Sequence, residues 1–133
     1  MFADGYSNFL SSLIATGKNI IFFMEVPELG MDPQGCIAER PFHHDDKIHE
    51  PCALKRSDVM ARRSLYRKEV QEIKNRNPSL KLFDSTNILC DDLRCYGRKG
   101  AAVLYWDENH LSVSGSAVVL TGLLKEMQIT PGN

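Results

Sequence analysis

Apolar residues at Tyr6, Phe9, Leu10, Leu13 and Ile14 recur at the three-and-four spacing of a helix, so residues 4–17 are expected to be helical, with Gly17 as the stop. The run NIIFFMEV that follows is dense in β-branched and aromatic residues and reads as a buried strand ended by Pro27. Residues 29–54 hold Gly30, Pro33, Gly35, Pro41 and Pro51 and are expected to form a long irregular segment, of the kind that is functional or covalently pinned in a small domain. Ser57 then offers a cap for a helix running to about Asn77, with Val59, Tyr66, Val70 and Ile73 on its apolar side and Pro78 ending it. LKLFD is a short strand, and AAVLYW (residues 101–106) is a third apolar run after a second irregular stretch. Val113, Ala117, Leu120, Leu124 and Met127 mark a closing helix.

Helices alternating with short apolar strands predict an α/β fold with a parallel sheet, helices on its faces and binding groups at the carboxyl ends of the strands. Only two or three strands can be counted. So narrow a parallel sheet leaves an edge and part of a face uncovered, and the domain is expected to be an incomplete one, a single unit over residues 1–133. No internal repeat and no low-complexity tract interrupts it.

Composition narrows the function classes. At 133 residues and 43% hydrophobic, the chain suffices for one core. Its 16 basic and 17 acidic residues give a net charge of −1, which argues against a general polyanion surface, so nucleic acid is not an expected partner. No run nears the roughly 18 to 20 apolar residues of a bilayer span, and the first residues do not have the basic-then-apolar pattern of a signal peptide. The chain as given is expected to be soluble. Cys36, Cys52, Cys90 and Cys95 fall in two local pairs within loops; their even number favours disulfides and an oxidising compartment, while the spacing alone leaves three connectivities and a reduced state open.

The chemistry-bearing feature is VLYWDENHLSVSG. Asp107 and His110 fall just after the third apolar run, and Ser112 is placed to cap the last helix. In such a turn the Asp can accept the imidazole Nδ1–H and leave Nε2 free to take a proton from a nucleophile, although Asp and His are common in solvated turns too. Other groupings have plainer readings. PFHHDDKIHEPC offers His43, His44, Asp45, Asp46, His49 and Cys52 in no regular zinc spacing and reads as a polar loop, one that would lie by the site's edge. The basic residues between Lys55 and Arg76 are interleaved with Glu69 and Glu72 and read as a solvated helix face, and Tyr105 and Trp106 as core or rim residues.

LYWDENHLSVSG closely resembles the last block of SGNH hydrolases, in the variant found in the C-terminal domains of bacterial membrane O-acyltransferases. GKNIIFFMEVPELGMDPQGC resembles the strand, Pro-Glu turn and cysteine of that domain, and LFDSTNILCDDLRC its later strand and cysteine-bearing loop. The resemblance covers most of residues 4–128. It implies a flavodoxin-like SGNH fold and a serine esterase or acyl-transfer activity on carbohydrate esters, with His110 as base and Asp107 as its orienting partner, and no metal or organic cofactor. It implies an extracytoplasmic (periplasmic) location, with disulfides Cys36–Cys52 and Cys90–Cys95. The implied partners are an acylated cell-envelope carbohydrate, the N-terminal remainder of the SGNH domain and a membrane acyltransferase domain.

The Gly-Asp-Ser, Gly and Asn blocks of that family are not found. ADGYSNF has the letters in the wrong order with no apolar strand before Ser7, and SVSGS lacks the first Gly of a nucleophile elbow and follows the His. The chain is therefore expected to be the C-terminal, base-bearing part of an SGNH domain, inactive alone. Two rivals are a non-catalytic remnant or interaction module with the same partial fold, and a self-contained small binding domain in which Asp107 and His110 are merely polar turn residues.

Overall fold

A computed structural model describes residues 2–33 and 52–128. Two units gather from them: residues 2–25 with 60–84, and residues 26–33 and 52–59 with 85–128.

In the first unit, α1 (Phe2–Ile14) leads through a turn, closed by Gly17 at φ 76°, into β1 (Ile21–Phe23). The single helix expected from Ser57 to Asn77 is two: α2 (Arg56–Arg62) and α3 (Ser64–Arg76). They are broken at Arg63, where φ −87° and ψ 0° leave the helical ladder. Ser57 lies inside α2 and caps nothing; its hydroxyl contacts Asp58. The Arg63 guanidinium is buried, donates to the Glu25 carbonyl and lies 3.9 Å from Asp84, to which Arg67 is also ion-paired. Those charged partners account for a break that no Pro or Gly in the sequence announces.

After α3, Asn77 and Pro78 turn the chain into β3 (Lys81–Phe83), which pairs with β1 in parallel, Ile21 opposite Lys81 and Phe23 opposite Phe83. Two further bonds lengthen the ladder, Lys81 N–H to Ile20 at 3.0 Å and Met24 N–H to Phe83 at 2.9 Å. Leu10, Ile73 and Leu80 form the core between helix and sheet, with Ile14, Ile20, Phe22 and Leu82 against it. Each fully buried Leu or Ile there contributes about 2 kcal/mol. Asn77 joins the helices: its amide donates to Ser7 Oγ and to the Ile73 carbonyl, and its Oδ1 accepts from Ser11 Oγ.

The second unit starts with the segment after β1 and contains β2 (Ala53–Lys55), which pairs antiparallel with β4 (Arg94–Tyr96), Leu54 opposite Cys95. Between them in sequence comes α4 (Thr86–Leu89). Cys90 and Cys95 are disulfide-bonded, as the resemblance implied, and close the loop between α4 and β4. Cys52 is also in a disulfide; its expected partner Cys36, like the histidine-rich loop, lies outside the described residues. Next come β5 (Arg98–Lys99) and β6 (Ala102–Val103), an antiparallel hairpin turning on Gly100 at φ 60°. Two of the three apolar runs thus form the parallel sheet, and the third opens as a hairpin arm. The α/β class expected from the sequence holds, as a partial sheet with few strands and flanking helices.

The closing helix, α5 (Val113–Glu126), is capped as expected by Ser112, whose Oγ accepts from Gly115 N–H at 3.0 Å. Its inner face meets the expected stripe only in part, at Leu124 and Met127, which are half-buried. Gly115 and Val119 are buried, with Val118, Gly122 and Leu123 half-buried beside them, while Val113 is 91% and Leu120 52% exposed. The stripe at 115, 118, 119, 122 and 123 keeps helical spacing, but two of its members are glycines.

Candidate functional site

Residues 103–112 fold into a narrow hairpin whose tip holds the Asp and the His. Ser112 N–H donates to the Leu104 carbonyl at 2.9 Å, Tyr105 and Leu111 form an antiparallel bridge, and Trp106 N–H donates to the His110 carbonyl at 2.8 Å. Neighbouring residues of such a ladder point to opposite sides. Tyr105 is accordingly buried at 2% exposure, while Trp106, 74% exposed, lies across from His110 on the open side.

Asp107 organises the tip. Its Oδ1 accepts the backbone N–H of Asn109 at 3.0 Å and of His110 at 2.7 Å, the Asx arrangement that suits an Asp starting a tight turn. The same carboxylate meets His110 Nδ1, 2.8 Å from Oδ2 and 3.0 Å from Oδ1. Those donors hold the Asp107 carboxyl below its ordinary value of 3.8, the Asn109 N–H first, then the imidazole and the His110 N–H. An ionised carboxylate has no proton to give, so Nδ1 is the donor, and in the neutral ring Nε2 carries the lone pair. The His110 side chain is 74% exposed and reachable from solvent. The arrangement can take up a proton at Nε2 and stabilise the resulting imidazolium through Asp107.

The lowered Asp107 value has a sign. Its ionised form stabilises the fold above 3.8, and that stabilisation is lost as pH falls through the folded-state value. Thermal midpoints of the parent and Asp107→Asn are therefore expected to differ at neutrality and to converge in acid below 3.8. A gap unchanged into strong acid would mean that the charge of Asp107 does not hold the turn.

Two further contacts tie the hairpin to the segment after β1, and reading residue by residue missed both. The Tyr105 hydroxyl donates to the Pro27 carbonyl at 2.6 Å, and Leu29 N–H donates to the Glu108 carbonyl at 2.7 Å. The only sequence signal for them is the Pro-Glu turn of PELG. At the other end Gly115 lets α5 start against the Leu104 backbone, where a Cβ would lie 1.9 Å from the carbonyl oxygen.

Of the serines in ADGYSNF and SVSGS, Ser7 accepts from Asn77 within the first unit, Ser112 both caps α5 and donates to the Val103 carbonyl at 2.6 Å, and Ser114 and Ser116 are exposed on α5. Ser85, at the carboxyl end of β3, is fully buried. Among the described residues no group of three or more His, Cys, Asp or Glu is gathered to hold a metal ion. Nor, among them, is any helix long and apolar enough to cross a membrane.

Helices beside a small parallel sheet, with an Asp–His pair on the turn before the last helix, make this an α/β domain with a solvent-open acid–base pair. The family model described as "SGNH domain (fused to AT3 domains)" matches residues 1–124, and the chain belongs to that family. Neither a curated protein nor a solved structure matches the chain. Domains of this family are described as fused to AT3 domains.

Proposed function

We propose that this chain is the base-bearing, C-terminal part of a single SGNH domain that acts as a serine esterase or O-acyltransferase on carbohydrate O-acyl esters of the cell envelope, outside the cytoplasm. The observation that supports it best is the imidazole of His110, bound through Nδ1 to an ionised Asp107 and open at Nε2, in a chain of this family. His110 takes the proton from a serine hydroxyl as its Oγ attacks the ester carbonyl. Backbone N–H of that serine, with a Gly N–H and an Asn side chain, holds the oxyanion. Nε2–H then protonates the departing sugar oxygen, leaving an acyl-serine. Water or an acceptor hydroxyl repeats the sequence in reverse and releases the acyl group. Asp107 keeps the imidazole in the Nδ1–H form and stabilises its charged state throughout.

The serine and the two other oxyanion donors are to be supplied by Gly-Asp-Ser, Gly and Asn blocks outside residues 1–133. The other reading, a non-catalytic remnant or binding module, draws on the structural tasks of Ser7 and Ser112 and the burial of Ser85. Hydrolysis of a small aryl acetate decides between them. Residues 1–133 alone are expected to give no turnover sensitive to a serine-directed inhibitor, and the same residues joined to a segment carrying those blocks are expected to give it. Inhibitor-sensitive turnover by residues 1–133 alone would place the nucleophile within them; none from the joined protein would favour the non-catalytic reading.

A further inference from the structure

We propose that Tyr105 is a positioning residue for the His110 imidazole, acting through the carbonyl of Pro27. The inference rests on the reading of His110 as the base, but its geometry does not.

Bonds inside the tip fix Asp107 relative to His110. They do nothing to fix the tip relative to the rest of its unit. That is done on either side of Asp107, by Tyr105 two residues before it and Glu108 one residue after it, and both bonds end on one short segment: Tyr105 Oη–H to Pro27 O at 2.6 Å and Leu29 N–H to Glu108 O at 2.7 Å. The segment is a firm support, because Pro27 has a ring-locked φ and Pro27 and Leu29 are both buried. A second support stands behind it: Leu104 N–H donates to the Gly97 carbonyl at 2.8 Å, and a Cβ on Gly97 would lie 3.0 Å from Leu29 Cδ1, so Leu29 packs against the bend between β4 and β5 that receives Leu104.

The Tyr105 ring alone would fill its buried place. The hydroxyl adds a directional bond, and a buried phenol with a partner at 2.6 Å fixes where the ladder enters the tip. Misplacing a base by about 1 Å costs on the order of a hundredfold in rate, so small slack at this bond reaches the imidazole.

The test is Tyr105→Phe, which keeps the ring and removes the donor, in the 133-residue protein labelled with ¹⁵N. The parent is expected to show the His110 imidazole mainly as the Nδ1–H tautomer, and Tyr105→Phe is expected to keep it, because bonds inside the tip set it. Removing the hydroxyl is expected to loosen the tip from its support: amide exchange at Leu29 rises about tenfold and the residual dipolar couplings of the Asn109 and His110 N–H groups fall, while exchange at Val119 stays parental. Parental Leu29 exchange with parental couplings would overturn the proposal; so would exchange raised equally at Val119, the mark of a general structural loss. If Tyr105→Phe does not fold, 4-aminophenylalanine at position 105, which restores a donor on the same ring, carries the test: parental Leu29 exchange and couplings are expected, and their loss overturns the proposal. None of these readings needs turnover, so failure of the esterase reading would appear separately, as an inactive complete domain with the loosened tip still present.

Discussion

In a complete domain carrying the Gly-Asp-Ser, Gly and Asn blocks, His110→Ala is expected to remove ester turnover, with a loss on the order of 10⁶-fold in kcat, and Asp107→Asn to lower it by up to about 10⁴-fold. The two differ because the roles differ. His110 moves the proton between nucleophile and leaving group, and among the described residues no second imidazole is bonded at the tip to stand in for it. Asparagine at 107 can still accept the two backbone N–H groups that shape the turn, but it brings no negative charge to hold Nδ1–H or to stabilise an imidazolium. Both variants are expected to fold, because Trp106, Glu108, Asn109 and His110 are exposed and the tip lies outside the core. Ester turnover and thermal unfolding of both variants beside the parent make the check. Near-parental turnover by His110→Ala would remove the esterase reading, and unfolding of both variants would make the pair structural.

The largest effect on stability is expected from Gly115→Ala. An added methyl carbon would sit 1.9 Å from the Leu104 carbonyl oxygen and 2.8 Å from its carbon, inside any possible contact, and neither neighbour is a side chain that can swing away. That same carbonyl accepts from Ser112 N–H. Helix α5 must therefore retreat from the hairpin and break its own cap, at a cost of about 3 kcal/mol or more, which lowers the thermal midpoint by roughly 10 °C. Gly122→Ala provides the contrast. Its methyl would meet Ile88 Cδ1 at 2.2 Å, the far end of a flexible side chain, and alanine gains about 1 kcal/mol of helix propensity over glycine. Comparable midpoints for the two variants would show that α5 does not depend on its approach to Leu104.

The expectation for α5 went astray for the same reason. A hydrophobic pattern weighs side chains, so it selected Val113 and Leu120, which the structure exposes, and overlooked Gly115 and Gly122, whose missing side chains let the helix approach. β2, β4 and β5 escaped notice because each is two or three residues long and lies outside the apolar runs that revealed β1, β3 and β6. The break at Arg63 was hidden because its cause is an ion pair with Asp84, 21 positions away and with no local sign. What could be read were the long periodic features: α1, the parallel pair of apolar strands, the buried stripe at Val59, Val70 and Ile73, and the Ser112 cap. The Asp107–His110 pair was legible because its geometry spans three residues. Its tethers to Pro27 and Leu29 join residues almost eighty apart, and no short motif announces a contact of that kind.

That difference in span also sets an order in time. A bond across three residues closes at almost no loop entropy, whereas one across 78 residues must wait until everything from Pro27 to Tyr105 has been made and drawn together. During synthesis the tip can therefore acquire its tautomer as soon as residues 107–110 are free to turn, but its location arrives only with the docking of Tyr105 on a segment made long before. The proton acceptor is set early and aimed late, so an unfinished chain carries a formed imidazole–carboxylate pair with nothing yet to direct it at an ester.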